Sequence, residues 1–328
     1  MDRTYIALCP LRLVLCLLLL CALAGCHQRP QSGGLVRVIF QTDWYPQPEQ
    51  GGFYEALLKG YYREEGLDVS ILPGGPYNSV EQQVSLGVAQ FGMSSSDHIL
   101  EDDAQGLQLV AVAATMQHDP QGIMVHSNSS VHSFSDLEGH TVAAKPGSTW
   151  FEYLVGRYHF KNVREIPATY SVANFLQDPA YIQQIFVTSE PFFARSAGAQ
   201  VRTLLISDTG YAPYRVFFTS QGYLAQHPDV VAKFVHASLR GWRDYMQDSS
   251  AVNAELLNRN PGQLPEQMRF TWQALKDGHF VDDGDPSRTG QFDADRWNAM
   301  YQQLQDLKLI QHPIDPSSAW TSQFLPAK

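Results

Sequence analysis

The chain has 328 residues, 33 acidic and 23 basic, with 44% hydrophobic and 17% charged side chains. That much apolar material excludes a disordered chain, and the net charge of −10 excludes the basic footprint of a nucleic-acid binder. At ~150 residues per domain the length predicts about two domains, suited to small-molecule binding or catalysis.

The four cysteines, Cys9, Cys16, Cys21 and Cys26, all lie in the N-terminal segment. Arg3 and Arg12 precede an uncharged stretch over residues 13–25. A membrane-spanning helix needs ~18–20 apolar residues, whereas a secretory apolar region needs only ~7–15, so this segment reads as an export signal. It ends Leu23-Ala24-Gly25-Cys26, which looks like a lipobox with Cys26 as the lipidated residue. Cleavage before Cys26 leaves 303 residues with net charge −11, no free thiol and no thiolate metal site. Residues 26–34, polar and rich in Gly, Pro and Ser, read as a tether from a membrane lipid to the folded part.

Residues 35–40 predict a first strand. A helix is expected over 52–65, stopped by Gly66, with strands over 67–71 and 90–93 and a short helix over 80–86 between them. Ser96 is expected to cap a helix through residue 104. The apolar run at 107–114 reads as a strand buried on both faces. A second block follows, with strands at 122–125, 140–144, 163–167, 185–188 and 201–207 and a helix from Ser148 to about residue 158. Residues 214–219 turn the chain back, and the remainder is helical, including one helix from His227-Pro228-Asp229 and another capped by Asp293. Two blocks of alternating strands and helices predict an α/β fold of two lobes, each a mostly parallel sheet flanked by helices. Short crossings are expected near 116–122 and 208–216, with a ligand at the carboxyl ends of the strands, in the cleft between the lobes.

The candidate binding residues lie at such ends. Asp43, Trp44 and Tyr45 follow the first strand, with Gly52 and Tyr54 in the next helix. The aromatic rings offer faces for stacking a planar ring, and the glycines allow close approach to backbone N–H groups. Ser94 and Ser95 follow the third strand. Ser148 and Thr149 stand at a helix N-terminus, a generic anion or carbonyl site that capping alone also explains. Glu190, in Thr188-Ser189-Glu190-Pro191, can accept from ring N–H or amino groups, and Tyr211 lies at the second crossing. A Ser/Asp/His triad within Ser94-Ser95-Ser96-Asp97-His98 is disfavoured, because adjacent residues point apart and no nucleophile elbow exists. No phosphate loop, dinucleotide fingerprint or metalloprotease motif occurs. The 11 histidines are scattered, and Asp282-Asp283-Gly284-Asp285 reads as a solvated turn, so neither a metal nor a cofactor is expected.

Four stretches carry a resemblance. They are Asp43-Trp44-Tyr45-Pro46 running through Lys59-Gly60-Tyr61-Tyr62 to Gly66-Leu67-Asp68-Val69, then Asp136-Leu137-Glu138-Gly139-His140-Thr141-Val142-Ala143, then Phe186-Val187-Thr188-Ser189-Glu190-Pro191-Phe192, and finally His227-Pro228-Asp229 into Leu239-Arg240-Gly241-Trp242. Together they resemble the solute-binding proteins of the nitrate/sulfonate/taurine and thiamine-pyrimidine type. The resemblance implies a two-lobed periplasmic-binding-protein fold of type II, divided into 35–118 (first lobe), 119–212 (second lobe) and 213–328 (return to the first). It also implies a monomer that delivers a small ligand to an ABC-transporter permease outside the cytoplasmic membrane. In the pyrimidine branch, aromatic rings stack on the pyrimidine and a glutamate bonds its amino group, which would map to Trp44, Tyr45 and Glu190. That branch and the related pyrimidine synthases often read Trp-x-Pro-Asn-x-x-His-x-Gly. Here Gln50 stands at the histidine position. The synthases consume that histidine and carry a cysteine-rich motif, so the resemblance implies binding rather than synthesis. A sulfonate- or nitrate-type oxyanion is the alternative ligand, and it would rely on Ser148 and Thr149 rather than Trp44.

Overall fold

The computed structural model describes residues 34–326; the export segment, Cys26 and nearly all of the tether lie outside them. The first sheet starts with β1 (Val36–Gln41), which buries Val38 and Phe40, followed by α1 (Gly51–Leu58) and α2 (Tyr61–Glu64). The single helix expected over 52–65 breaks between them. Gly60 takes φ +78°, a left-handed turn that glycine adopts without steric cost. The chain continues through β2 (Leu67–Leu72), α3 (Val80–Ser85), β3 (Phe91–Ser95), α4 (Ser96–Ala104) and β4 (Leu109–Met116). Ser95, not Ser96, occupies the cap position of α4, while the Ser96 hydroxyl accepts from Tyr214 N at 3.0 Å.

The second sheet comprises β5 (Gln121–His126), β6 (Thr141–Ala144), β7 (Arg164–Pro167), β8 (Ile182–Phe186) and β9 (Val201–Leu205), with α5 (Thr149–Tyr158), α6 (Ala173–Gln177) and α7 (Glu190–Ser196) between them. β8 lies about three residues before its expected start because its pairing with β5 matches Ile185 with Gly122 and Gln183 with Met124, a long-range register. β10 (Arg215–Ser220) then re-enters the first sheet. The remaining helices are α8 (Gln221–Gln226), α9 (Pro228–Gln247), α10 (Ser250–Arg259), α11 (Pro265–Asp277) and α12 (Ala294–Asp306).

The strand orders are β2-β1-β3-β10-β4 and β7-β6-β8-β5-β9. Both sheets are mixed, and each has one reversed strand. β10 is antiparallel to β3 and β4, and β5 is antiparallel to β8 and β9. Each reversed strand is the one laid down just after the chain changes lobe. β4 ends its sheet, yet all eight of its residues are buried. The C-terminal segment covers that edge, with Thr321 N donating to Ala111 O at 2.9 Å, which removes an open pairing edge.

α9 presents Val231, Phe234, Val235, Leu239 and Trp242 to the core and packs against α1. The two backbones approach where Gly52 faces the Trp242 ring and Gly241 faces Gly52 O. Two short crossings, over 117–120 and 210–214, link the sheets. Arg296 of α12 clasps both, donating to Gln117 O and, at 2.7 Å, to Ala212 O, with its guanidinium 3.8 Å from the Tyr214 ring centroid.

Candidate functional site

A cavity of about 410 Å³ lies between the lobes, lined from both of them. Its walls are the carboxyl ends of β1, β3, β6 and β8 together with the crossings, as expected for open α/β sheets.

β1 delivers Asp43 and Trp44. Asp43 pairs with Arg215, which opens β10 and also faces Asp119 at 3.6 Å. Arg215 is only 8% exposed, and burial pulls it down to about 10, still charged at neutral pH. Gln50 holds its own turn by accepting from Gln47 N at 3.1 Å, and its amide lies 3.4 Å from Asp43 Oδ1. Glu49 is buried beside it. Its Oε1 accepts from Thr188 Oγ1 of the second lobe at 2.6 Å, while Oε2 has no partner among the described residues. Burial pushes Glu49 up to about 7.

β3 ends in Ser94 and Ser95, followed by Asp97, His98, Glu101 and Asp102 on the first turns of α4, all lining the cavity. The Ser94 hydroxyl donates to Glu81. Burial raises Glu101 to about 7 and Asp102 to about 6.

The second lobe contributes Ser148 and Trp150 after β6, Tyr170 after β7, Phe186 at the end of β8 and Glu190 opening α7. Ser148 stands at the cap position of α5, but its hydroxyl donates to Lys145 O. Glu190 accepts from Phe186 N at 2.8 Å, and burial raises it to about 6. Tyr211 donates to Asp97 at 2.6 Å, joining the second crossing to α4. Across the cleft the rings of Trp44 and Tyr170 meet at 5.1 Å between centroids, tilted by 53°.

Of the residues singled out from sequence, Asp43, Trp44, Ser94, Ser95, Ser148, Glu190 and Tyr211 line this one cavity. Four others do not. Tyr45 is 47% exposed, its ring turned toward Gly75. Gly52 is sealed beneath Trp242. Tyr54 is buried in the core under Arg259. Thr149 faces Glu101, donating at 3.1 Å. α1 turns its buried face to α9 rather than to the cleft, which takes Gly52 and Tyr54 away from it.

Sequence reasoning left out the acidity of this cavity. Eight carboxyl groups line it, against Lys145, Arg215 and His98. Signals for some existed. Asp97 and Glu101, like His98 and Asp102, repeat at i, i+4 on one helix, and Arg215 is a lone charge at the head of an apolar strand. Tyr170 had none, because a loop residue reaches the cleft only through the fold.

Two hinge-linked α/β lobes around a ligand-sized cavity define the class of two-lobed solute-binding folds. The chain belongs to the NMT1/THI5-like family, whose model matches residues 47–251. It is 26% identical to the riboflavin-binding protein RibY of Chloroflexus aurantiacus, over 89% of this chain and 87% of that one. It is 22% identical to the formylaminopyrimidine-binding protein of Halalkalibacterium halodurans, over 95% and 98%. It is 23% identical to a 4-amino-5-hydroxymethyl-2-methylpyrimidine phosphate synthase of Legionella pneumophila, over 88% and 92%. Among solved structures, the periplasmic aliphatic sulphonate-binding protein SsuA of Escherichia coli superposes with a TM-score of 0.66 at 17% identity, covering 90% of this chain and 95% of that one. The fold and family expected from the sequence are therefore borne out.

Proposed function

We propose that this protein is the extracytoplasmic, non-catalytic receptor of an ABC importer and holds a small planar nitrogen heterocycle of the aminopyrimidine kind between its lobes. The observation that carries this reading is the acceptor-rich cavity, with eight carboxyl groups on its walls and Trp44 and Tyr170 across it. Carboxylates accept from amino and ring N–H groups, and an aromatic pair supplies faces for a flat ring. The same charge disfavours a sulfonate or nitrate, which wants N–H donors and cations and would here meet like charge. Binding two walls at once favours the closed arrangement of the lobes, a population shift that a permease can read. Gln50 in the histidine position and the lack of any cysteine after Cys26 support binding over synthesis. Lipidation of Cys26 would hold the receptor, as a monomer, on the outer side of a membrane.

The test is thermal unfolding of the purified protein with formylaminopyrimidine, hydroxymethylpyrimidine, thiamine, riboflavin, taurine, alkyl sulfonates and nitrate. A ligand at ~100 times its Kd stabilises by ~2.7 kcal/mol, a shift of several degrees at this size. A shift with a heterocycle and none with the anions is expected; a shift confined to the anions would reject the reading. Formation of a phosphorylated pyrimidine by the purified protein would reject the non-catalytic part.

A further inference from the structure

Glu49 and Glu190 belong to the side of the cavity where β8 ends, but α4 lines another side with its own carboxylates. Asp97 and Glu101 sit one turn apart, so their side chains share one helix face. Asp97 is only 5% exposed. Its Oδ2 takes the Tyr211 hydroxyl, whereas its Oδ1 has no partner among the described residues. Glu101 repeats the pattern, with Oε2 taking the Thr149 hydroxyl at 3.1 Å and Oε1 left without a partner. Buried acceptors without donors are costly, and here each carboxylate holds one oxygen in place with a hydroxyl while leaving the other unused. The Ser95 hydroxyl, at the head of the same helix, lines the cavity and makes no side-chain hydrogen bond among the described residues.

Of the cavity's basic groups, only a histidine faces this cluster. Lys145 lines the cavity but is exposed and forms no ion pair within 4.0 Å among the described residues. Arg215 is engaged with Asp43 and Asp119. His98 is the one other basic group on this wall, facing Asp97, Glu81 and Glu101.

We propose that the α4 wall is a subsite for a protonated primary amine carried on a short arm of the ligand. An ammonium has three N–H donors and no acceptor, and Asp97 Oδ1, Glu101 Oε1 and Ser95 Oγ offer it three acceptors from one helix start. The ligand is then a flat ring with a cationic arm. The subsite rests on the reading of the cavity as a heterocycle site, and the test separates the two.

Titration calorimetry at pH 7 compares two matched pairs on the purified protein. The first pair is 4-amino-5-aminomethyl-2-methylpyrimidine and its hydroxymethyl analogue. The second is benzylamine and benzyl alcohol. The amine is expected to bind about tenfold or more tightly than the alcohol, since charge-assisted hydrogen bonds exceed neutral ones. Asp97→Asn and Glu101→Gln should each pull the amine-to-alcohol ratio toward one, with melting curves checking that each variant folds. The ratio is independent of a uniform loss of affinity, so a merely structural role for either carboxylate would not move it. Equal binding of amine and alcohol, or a ratio that both variants leave intact, overturns the subsite. Discrimination in the benzyl pair with no binding of either pyrimidine keeps the subsite and overturns the pyrimidine reading. Binding of both pyrimidines without discrimination does the reverse. A protein that binds none of the four overturns both.

Discussion

Thr188 Oγ1 donates to Glu49 Oε1 at 2.6 Å and ties the end of β8 in one lobe to the turn before α1 in the other. The same residue's carbonyl accepts from Thr271 Oγ1 of α11 at 2.7 Å, so Thr188 is held on two sides by the first lobe. Glu49 is 2% exposed between the two lobes, and that burial has a consequence for pH.

Burial raises Glu49 from 4.5 to about 7. A carboxyl whose folded pKa is raised stabilises the fold below the unfolded value, and that stability is lost as pH rises through the folded value. The ligand-free protein is therefore expected to lose stability between pH ~4.5 and ~7, by on the order of 3 kcal/mol from this group. Glu101 and Glu190 act in the same direction. Glu49→Gln keeps an acceptor for Thr188 and removes the titration. Urea midpoints measured from pH 4.5 to 8 should flatten in the variant, and an unchanged slope would contradict the assignment.

Trp44 is the aromatic group that β1 delivers to the cavity, touching Tyr170 across it. Trp44→Ala should weaken a planar ligand by about 1–3 kcal/mol. Tyr45→Ala, at an exposed position outside the cavity lining, should change affinity by less than about 0.5 kcal/mol. Calorimetry with the best ligand from the thermal panel decides between them.

Gly52 separates packing from binding. A Cβ there would enter the Trp242 ring, and overpacking of this kind costs about 1–3 kcal/mol. Gly52→Ala should lower the melting temperature while leaving the ligand Kd, measured well below melting, unchanged. A selective loss of affinity would return Gly52 to the binding site.

Arg296 is the shared anchor of both crossings. Arg296→Met leaves Gln117 O and Ala212 O without this donor, a loss of about 2–4 kcal/mol for two carbonyls in a largely buried setting. Ligand release, followed by stopped flow, should quicken because the hinge segments lose their common tether. Unaltered urea stability would show that the clasp contributes nothing.

How much of this was legible in the chain follows from the range of each interaction. The strands were readable from their own residues, because β-branched and aromatic runs between glycine and proline breaks bury well in a sheet. Two lobes, two crossings and a cleft at the strand ends followed from the order of those runs. The family was readable as well, from motifs that span nearly the whole chain. Register was less so. β8 slid by about three residues because its pairing with Gly122 and Met124, distant in sequence, outweighs local pattern.

The site divided along the same line. Asp43, Trp44 and Glu190 could be chosen because each stands at the end of a strand, where such folds keep their ligands. Tyr45, Gly52 and Tyr54 could not be told from them by position, since which way a side chain turns depends on what packs beneath it. Trp242 and Arg259, nearly two hundred residues away or more, decided that for Gly52 and Tyr54. The acidity of the cavity belongs to the tertiary structure in the same sense. Its carboxyl groups come from the end of β1, the turn before α1, α3, α4, a crossing and α7, each unremarkable alone. The raised affinity of Glu49, Glu101, Asp102, Asp119 and Glu190 for protons comes from burial that only the tertiary structure creates.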